Sequence, residues 1–212
     1  MLTNNHYKVL KKYATLVLAS HNPGKIREMR ELLTDYEKDF TLVDAGTLKL
    51  IEPLENGKTF IENALIKARA AMHATGLPSL ADDSGLCIDA LDGKPGVNTA
   101  EWFVNAKGER DFPYGFEKIK RALKPNDLLG ASVVCVFALV IPGCSDVVIE
   151  RHIRGTLIFD PDHYVEMMPI DSIFKPDGYE KTFACDLQLK NKISARAQAS
   201  FALKETFDKA NR

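Results

Sequence analysis

A mixed α/β fold is predicted by three features of this 212-residue sequence. Short β-rich apolar runs alternate with amphipathic helical runs, the pattern of a sheet crossed by helices. Each apolar run ends in a polar stretch with Ser, Asn, Asp, Gly or Pro, the residues that stop strands and start helices. Late in the chain, residues 131–141 and 147–159 flank Pro142-Gly143 as a long hairpin, which adds an antiparallel part to the sheet. With 45% hydrophobic residues the chain can bury a sizeable core, as one compact α/β unit.

Residues 1–14, with Lys8, Lys11 and Lys12, read as an N-terminal extension without chemistry, ahead of a single domain over 15–212. Residues 15–19 form a first buried strand. It leads into Ser20-His21-Asn22-Pro23-Gly24-Lys25 and then a helix with Ile26, Met29, Leu32 and Leu33 on one face. Backbone N–H groups at a helix start beside a lysine make a phosphate-cradle geometry. The same residues also suit an ordinary turn, with Asn22 as cap and Pro23 in the first helical turn. Lys25 is not preceded by the two spaced glycines of a Walker A loop.

A second strand follows at 40–44, then a polar link through Glu52, Glu55 and Gly57. Residues 59–75 form a helix with Phe60, Ile61, Ala64, Leu65, Ala68, Ala71 and Met72 on its apolar face, closed by Gly76. That spacing puts Glu62 on the polar side near the helix start. The next run, Ser79-Leu80-Ala81-Asp82-Asp83-Ser84-Gly85-Leu86, reads as a buried strand delivering two adjacent carboxylates into a Ser-Gly turn. Neighbours on an extended chain point to opposite sides, so one carboxylate sits in the wall while the other faces a cleft. Glu62 is close enough in the chain to join them. Three carboxylates without thiolates or imidazoles make a hard oxygen site suited to Mg²⁺ and phosphate oxygens. A plain strand-ending turn has the same sequence, because Asp and Ser cap turns and Gly supplies positive φ.

Trp102, Phe103, Phe112, Tyr114 and Phe116 read as core and interface, and residues 116–123 as a helix. From 160 to 181 the chain is irregular. Ser194 then caps a final helix with Ala195, Ala199, Ala202, Leu203 and Phe207 on its apolar side. Lys190 and Arg196 flank its start, where positive charge opposes the helix dipole, which hints at an anion.

The balance of 28 basic and 29 acidic residues, net −1, gives no bulk attraction to nucleic acid. Cys87, Cys135, Cys144 and Cys185 form no CxxC pair and suit a reducing, cytoplasmic compartment. The apolar run 14–19 is too short for a signal peptide, and no run approaches the roughly 18 residues of a membrane span. No membrane partner is therefore expected.

In order, Ser20–Lys25, Thr-Phe-Ile-Glu-Asn-Ala at 59–64, Leu-Ala-Asp-Asp-Ser-Gly-Leu at 80–86, Gly-Lys-Pro-Gly-Val at 93–97 and Lys-Asn-Lys-Ile-Ser at 190–194 form a set. The set resembles the inosine triphosphate pyrophosphatase family, from about residue 15 to the end. The resemblance implies a mixed, elongated sheet with flanking helices and two lobes around a central cleft, and a Mg²⁺-dependent homodimer. It implies hydrolysis of non-canonical purine nucleoside triphosphates to monophosphate and pyrophosphate. Residues 20–25 would hold the triphosphate, and Glu62 and Asp83 the metal. Asp83 would also be general base, with Ser84, Asp171, Lys190 and Arg196 contacting substrate and Asp82 in support. Such chemistry needs mainly positioning and charge neutralisation.

The departures fall at the base end. Where the family carries Gly-Phe-Gly-Tyr-Asp-Pro-Ile-Phe, this chain has Met167-Met168-Pro169-Ile170-Asp171-Ser172-Ile173-Phe174, and Ser194-Ala195-Arg196 replaces Ser-His-Arg. Asn98 and Glu101 stand for a usual Tyr and Arg. Losing a stacking ring and a donor each removes roughly 1–3 kcal/mol of discrimination. Broader base preference follows, or a shift to another base. A pyrophosphatase for another modified nucleotide, or a catalytically idle nucleotide binder, are the alternatives.

Overall fold

The computed structural model describes residues 4–36, 39–159 and 169–210. The chain divides into two compact units: Met1–Asp83 with Cys135–Arg151 and Arg196–Arg212, and Ser84–Val134 with His152–Ala195.

The first unit opens with α1 (Asn4–Lys11), β1 (Thr15–Leu18), α2 (Pro23–Leu33), β2 (Thr41–Asp44) and α3 (Phe60–Thr75). It takes in the start of β3 (Ser79–Ile88) and nearly all of the last helix, α8 (Ala195–Ala210). β1 lies between β2 and β3 and is parallel to both, so a helix-bearing connection returns the chain each time. Residues 4–11, read from sequence as an extension, are a helix with a structural role. Tyr7 and Leu10 are fully buried, the Tyr7 ring lies 5.2 Å from that of Phe207, and Lys11 pairs with Asp39 at 3.3 Å. Burying two such side chains contributes about 1.5–3 kcal/mol each.

α3 begins and ends as the sequence predicts. Thr59 caps it in a reciprocal capping box with Glu62, and Gly76 closes it at φ +70°, where a side chain would be strained. Its buried face differs from the predicted one: Asn63 and Lys67 are buried beside Ala64, Ala68 and Ala71, while Phe60, Ile61 and Leu65 are only half-buried. β3 also corrects an expectation. No turn forms at Ser84-Gly85; the strand runs on to Ile88, which sets Asp82 and Asp83 at mid-strand.

The second unit holds the rest of β3, α4 (Thr99–Trp102) and α5 (Phe112–Ala122). Parts of β4 (Gly130–Val140) and β5 (Val147–Leu157) follow, then α6 (Pro169–Ile173), β6 (Phe174–Pro176) and α7 (Leu187–Ile193). Its core gathers Leu86, Ile88, Phe103, Ile119, Leu157 and Phe174. The aromatic cluster is core, as read: Phe103 meets Phe116 edge-on at 5.5 Å and Phe112 at 5.9 Å, while Tyr114 is exposed. At Gly115 any Cβ would run into the Phe103 ring, so α5 packs there at backbone distance.

The strand order is β2-β1-β3-β4-β5-β6, with β5 and β6 antiparallel. The sheet is therefore mixed, as expected, and helices flank it. Among the described residues no helix is long and apolar enough to cross a membrane, and Cys87, Cys135, Cys144 and Cys185 are free thiols.

Candidate active site

Strand alternation sends the two neighbouring carboxylates of β3 into different surroundings. Asp82, fully buried, accepts Lys25 Nζ at 2.6 Å and the Arg196 guanidinium at 3.0 Å (Nε) and 3.3 Å (Nη2). The Cys135 thiol donates to it at 3.1 Å. Arg196 in turn reaches Glu28 Oε2 through Nη1 at 2.7 Å. Among the described residues two cations face two carboxylates here, a formally neutral set. Burial alone would raise the Asp82 pKa, but Arg196 and Lys25 outweigh it and hold the group well below the usual carboxylate range.

Asp83 is buried too, with different company. Its Oδ1 accepts Lys67 Nζ at 2.7 Å, and the same ammonium donates to Glu55 Oε2 at 2.8 Å. Asp83 Oδ2 is buried and has no hydrogen-bond partner among the described residues. One cation between two carboxylates leaves a formal charge of about −1. Burial raises the Asp83 pKa, and Lys67 and Lys25 pull against it without overcoming it. A carboxylate with a raised pKa and a free oxygen is poised to take a proton or hold a cation.

The loop before α2 is set by its own side chains. Asn22 caps the helix, its Oδ1 accepting Gly24 N at 2.9 Å and Lys25 N at 3.2 Å, and Pro23 opens the first turn. Buried Ser20 accepts Asn22 N at 3.2 Å, and His21 Nε2 meets Leu50 O at 2.9 Å. The amides of Gly24 and Lys25, read from sequence as free for phosphate, are thus engaged by the cap. The anion handle that remains is Lys25, whose side chain is partly exposed.

Glu62, expected beside Asp83, accepts the Lys58 and Thr59 amides at 2.5 and 3.1 Å in the α3 capping box. Lys67 is the group that reaches Asp83, and Glu55 reaches Lys67 from its other side; sequence reading missed both. Lys67 had a signal: it falls on the same helical stripe as Ala64, Ala68 and Ala71. Glu55 had none, being one of several acids in an irregular link. Arg196, expected at substrate, is buried in the Asp82 knot.

In the second unit Ser84 follows Asp83 along β3, and Lys190 pairs with Asp171 at 2.7 Å, both buried. Ala195 is buried at the start of α8, Glu101 lies exposed on α4, and Asn98 precedes it. Met167 and Met168 lie outside the described residues. A cavity of about 530 Å³ in the first unit is lined by His21, Pro23, Ile26, Arg27, Arg30 and Asp44. It includes neither Lys25 nor Asp83, so it is not where these charges converge.

A mixed α/β sheet with an under-compensated carboxylate at mid-strand and a lysine-bearing loop defines, as a class, an α/β protein with an acid–base centre. The Ham1 family profile matches residues 16–206. The dITP/XTP pyrophosphatase of Agrobacterium fabrum is 45% identical over 175 residues, 80% of each chain, and that of Rhodospirillum centenum 45% identical over 189 residues, 87% of this chain and 90% of that one. A HAM1 protein structure from Coxiella burnetii superposes with a TM-score of 0.80 at 34% identity, covering 92% of this chain and 98% of that one. The chain belongs to the Ham1 family, in agreement with its ordered motifs.

Proposed function

We propose that this protein hydrolyses non-canonical purine nucleoside triphosphates, such as dITP and XTP, to monophosphate and pyrophosphate. The observation that carries the reading is the Glu55–Lys67–Asp83 triad with its free Asp83 oxygen. The relatives' activity supports the substrate class.

Lys25 meets the triphosphate tail from the loop of Ser20, His21, Asn22, Pro23 and Gly24. Asp83 orients a water and accepts its proton as the water oxygen bonds to the α-phosphorus. The bond from that phosphorus to the bridging oxygen breaks, and pyrophosphate leaves with the electron pair. Lys67 holds Asp83 in place and keeps enough of it ionised to act as base. Burial opposes the Lys67 charge, but Asp83 and Glu55 outweigh it and raise its pKa, so it stays an ammonium.

A divalent cation fits the triad. Asp83 and Glu55 offer hard oxygens with net negative charge, and Mg²⁺ is commonly held by one or two carboxylates plus phosphate oxygens. Among the described residues no three His, Cys, Asp or Glu side chains gather into a closed cage, which leaves such a shared site as the form available. When bound, Mg²⁺ would neutralise phosphate charge. Asp83 and Glu55 would hold it, with Glu62 left to its helix cap.

In sequence, Ala195 and Met168 stand where the family resemblance implies a donor and a ring for the base. Base preference is therefore broader than a typical member's. The test is a panel of dITP, XTP, ITP and the standard triphosphates with Mg²⁺ in heavy-oxygen water. Labelled monophosphate plus unlabelled pyrophosphate is expected. Labelled pyrophosphate, or stepwise loss of phosphate, would contradict attack at the α-phosphorus.

A further inference from the structure

Glu55 sits on a stretch of chain with little to hold it. Among the described residues, 51–56 make no main-chain hydrogen bond, and Ile51 and Leu54 are 92% and 81% exposed. The stretch is a strap fixed at its two ends. At the near end His21 Nε2 meets Leu50 O at 2.9 Å; a carbonyl only accepts, so this nitrogen carries the proton. Leu50 N also donates to Ala45 O at 2.9 Å. At the far end Gly57 N donates to the buried Asn63 Oδ1 at 2.8 Å. A Cβ on Gly57 would come within 2.5 Å of that oxygen and 2.7 Å of Glu62 Cβ, so the chain lies flat on the first turn of α3. Between these points the Glu55–Lys67 contact is the polar side-chain tie.

We propose that His21 and Asn63 are positioning residues, which hold the strap so that Glu55 reaches Lys67 and the Asp83 centre. The proposal rests on the function proposed above. It gives His21 a different task from the substrate contact implied by resemblance: it ties the phosphate loop to the segment carrying a cation-holding carboxylate.

The test compares full-length His21→Ala, His21→Gln, Asn63→Ala and Glu55→Gln with the unaltered protein, by two readouts. Amide hydrogen exchange at Leu50 and Gly57 in the free protein reports the strap directly. The Mg²⁺ concentration for half-maximal dITP turnover, set against KM for dITP at saturating Mg²⁺, reports its consequence. His21→Ala is expected to speed exchange at Leu50 and to raise the Mg²⁺ requirement roughly tenfold, the weight of one hydrogen bond, with KM nearly unchanged. Glu55→Gln should raise the requirement at least as far, and His21→Gln, which keeps a donor, should restore both readouts. Asn63→Ala should act alike from the Gly57 end. Unaltered exchange in His21→Ala overturns the proposal. So does a raised KM with an unchanged Mg²⁺ requirement, which would make His21 a phosphate contact. If the unaltered protein turns over no triphosphate, the functional reading fails, and the exchange data still decide whether His21 and Asn63 hold the strap.

Discussion

Asp82 and Asp83 are adjacent on one strand and both are buried, yet their surroundings differ in charge balance. Around Asp82, Lys25 and Arg196 match Asp82 and Glu28 one for one. Around Asp83, among the described residues, Lys67 is the cation that hydrogen-bonds two carboxylates, and one oxygen is left over. A balanced buried knot fixes geometry, because removing any member strands a charge. An unbalanced one keeps a group available for a proton, a cation or a water. That difference makes Asp82 part of the architecture, and under the proposed function it leaves Asp83 for the chemistry.

The largest effect that separates them is on turnover. Asp83→Asn should reduce kcat by about 10²–10⁴-fold, the usual contribution of a positioned base, without lowering the melting temperature. Asp82→Asn should instead destabilise the fold by about 3–5 kcal/mol, because Arg196 and Lys25 lose their shared carboxylate; denaturant unfolding measures it.

Protonation sharpens the contrast, since the two groups shift in opposite senses. The folded Asp82 pKa lies below the unfolded value of about 3.9, so its stabilisation is present above that pH and is lost as pH falls toward the folded value. Asp83 is raised: its contribution to stability is present below about 3.9 and lost as pH rises through its folded pKa. Activity needs the ionised form, so the acid limb of kcat/KM should lie above the ordinary carboxylate range. Removing the Lys67 charge in Lys67→Met should move that limb to still higher pH, and a pH–rate profile checks it.

The smallest effect falls on the acid that sequence placed in the site. Glu62→Gln should cost no more than about 1 kcal/mol through the α3 cap and leave the Mg²⁺ requirement unchanged, whereas Glu55→Gln should raise it. An equal rise in both would join Glu62 to the centre and blur the comparison.

Much of this was legible in the sequence, because it is local. Hydrophobic period, Asn22 and Thr59 as caps, Gly76 as terminator and the Asp-Asp pair in a buried run follow from neighbours a few residues away. At α2 two local readings stood side by side, and Asn22, which starts the helix, engages the Gly24 and Lys25 amides as its cap. What the sequence hid is long-range. Arg196 looked like an anion site at a helix start, but its partners are Asp82 and Glu28, 114 and 168 residues distant. Glu55 reaches Lys67 by the course of an irregular strap, which no periodicity encodes. Ser84-Gly85 has turn composition, yet β3 runs through it, because strand pairing overrides local turn preference.

Turnover of dITP by Asp83→Asn, at a temperature where circular dichroism shows it as fully folded as the unaltered protein, tests the division between the two aspartates most directly. A loss of at least about a hundredfold in an intact fold is expected. Near-normal turnover would contradict it, and would return the chemistry to Asp82 or to a group outside the triad.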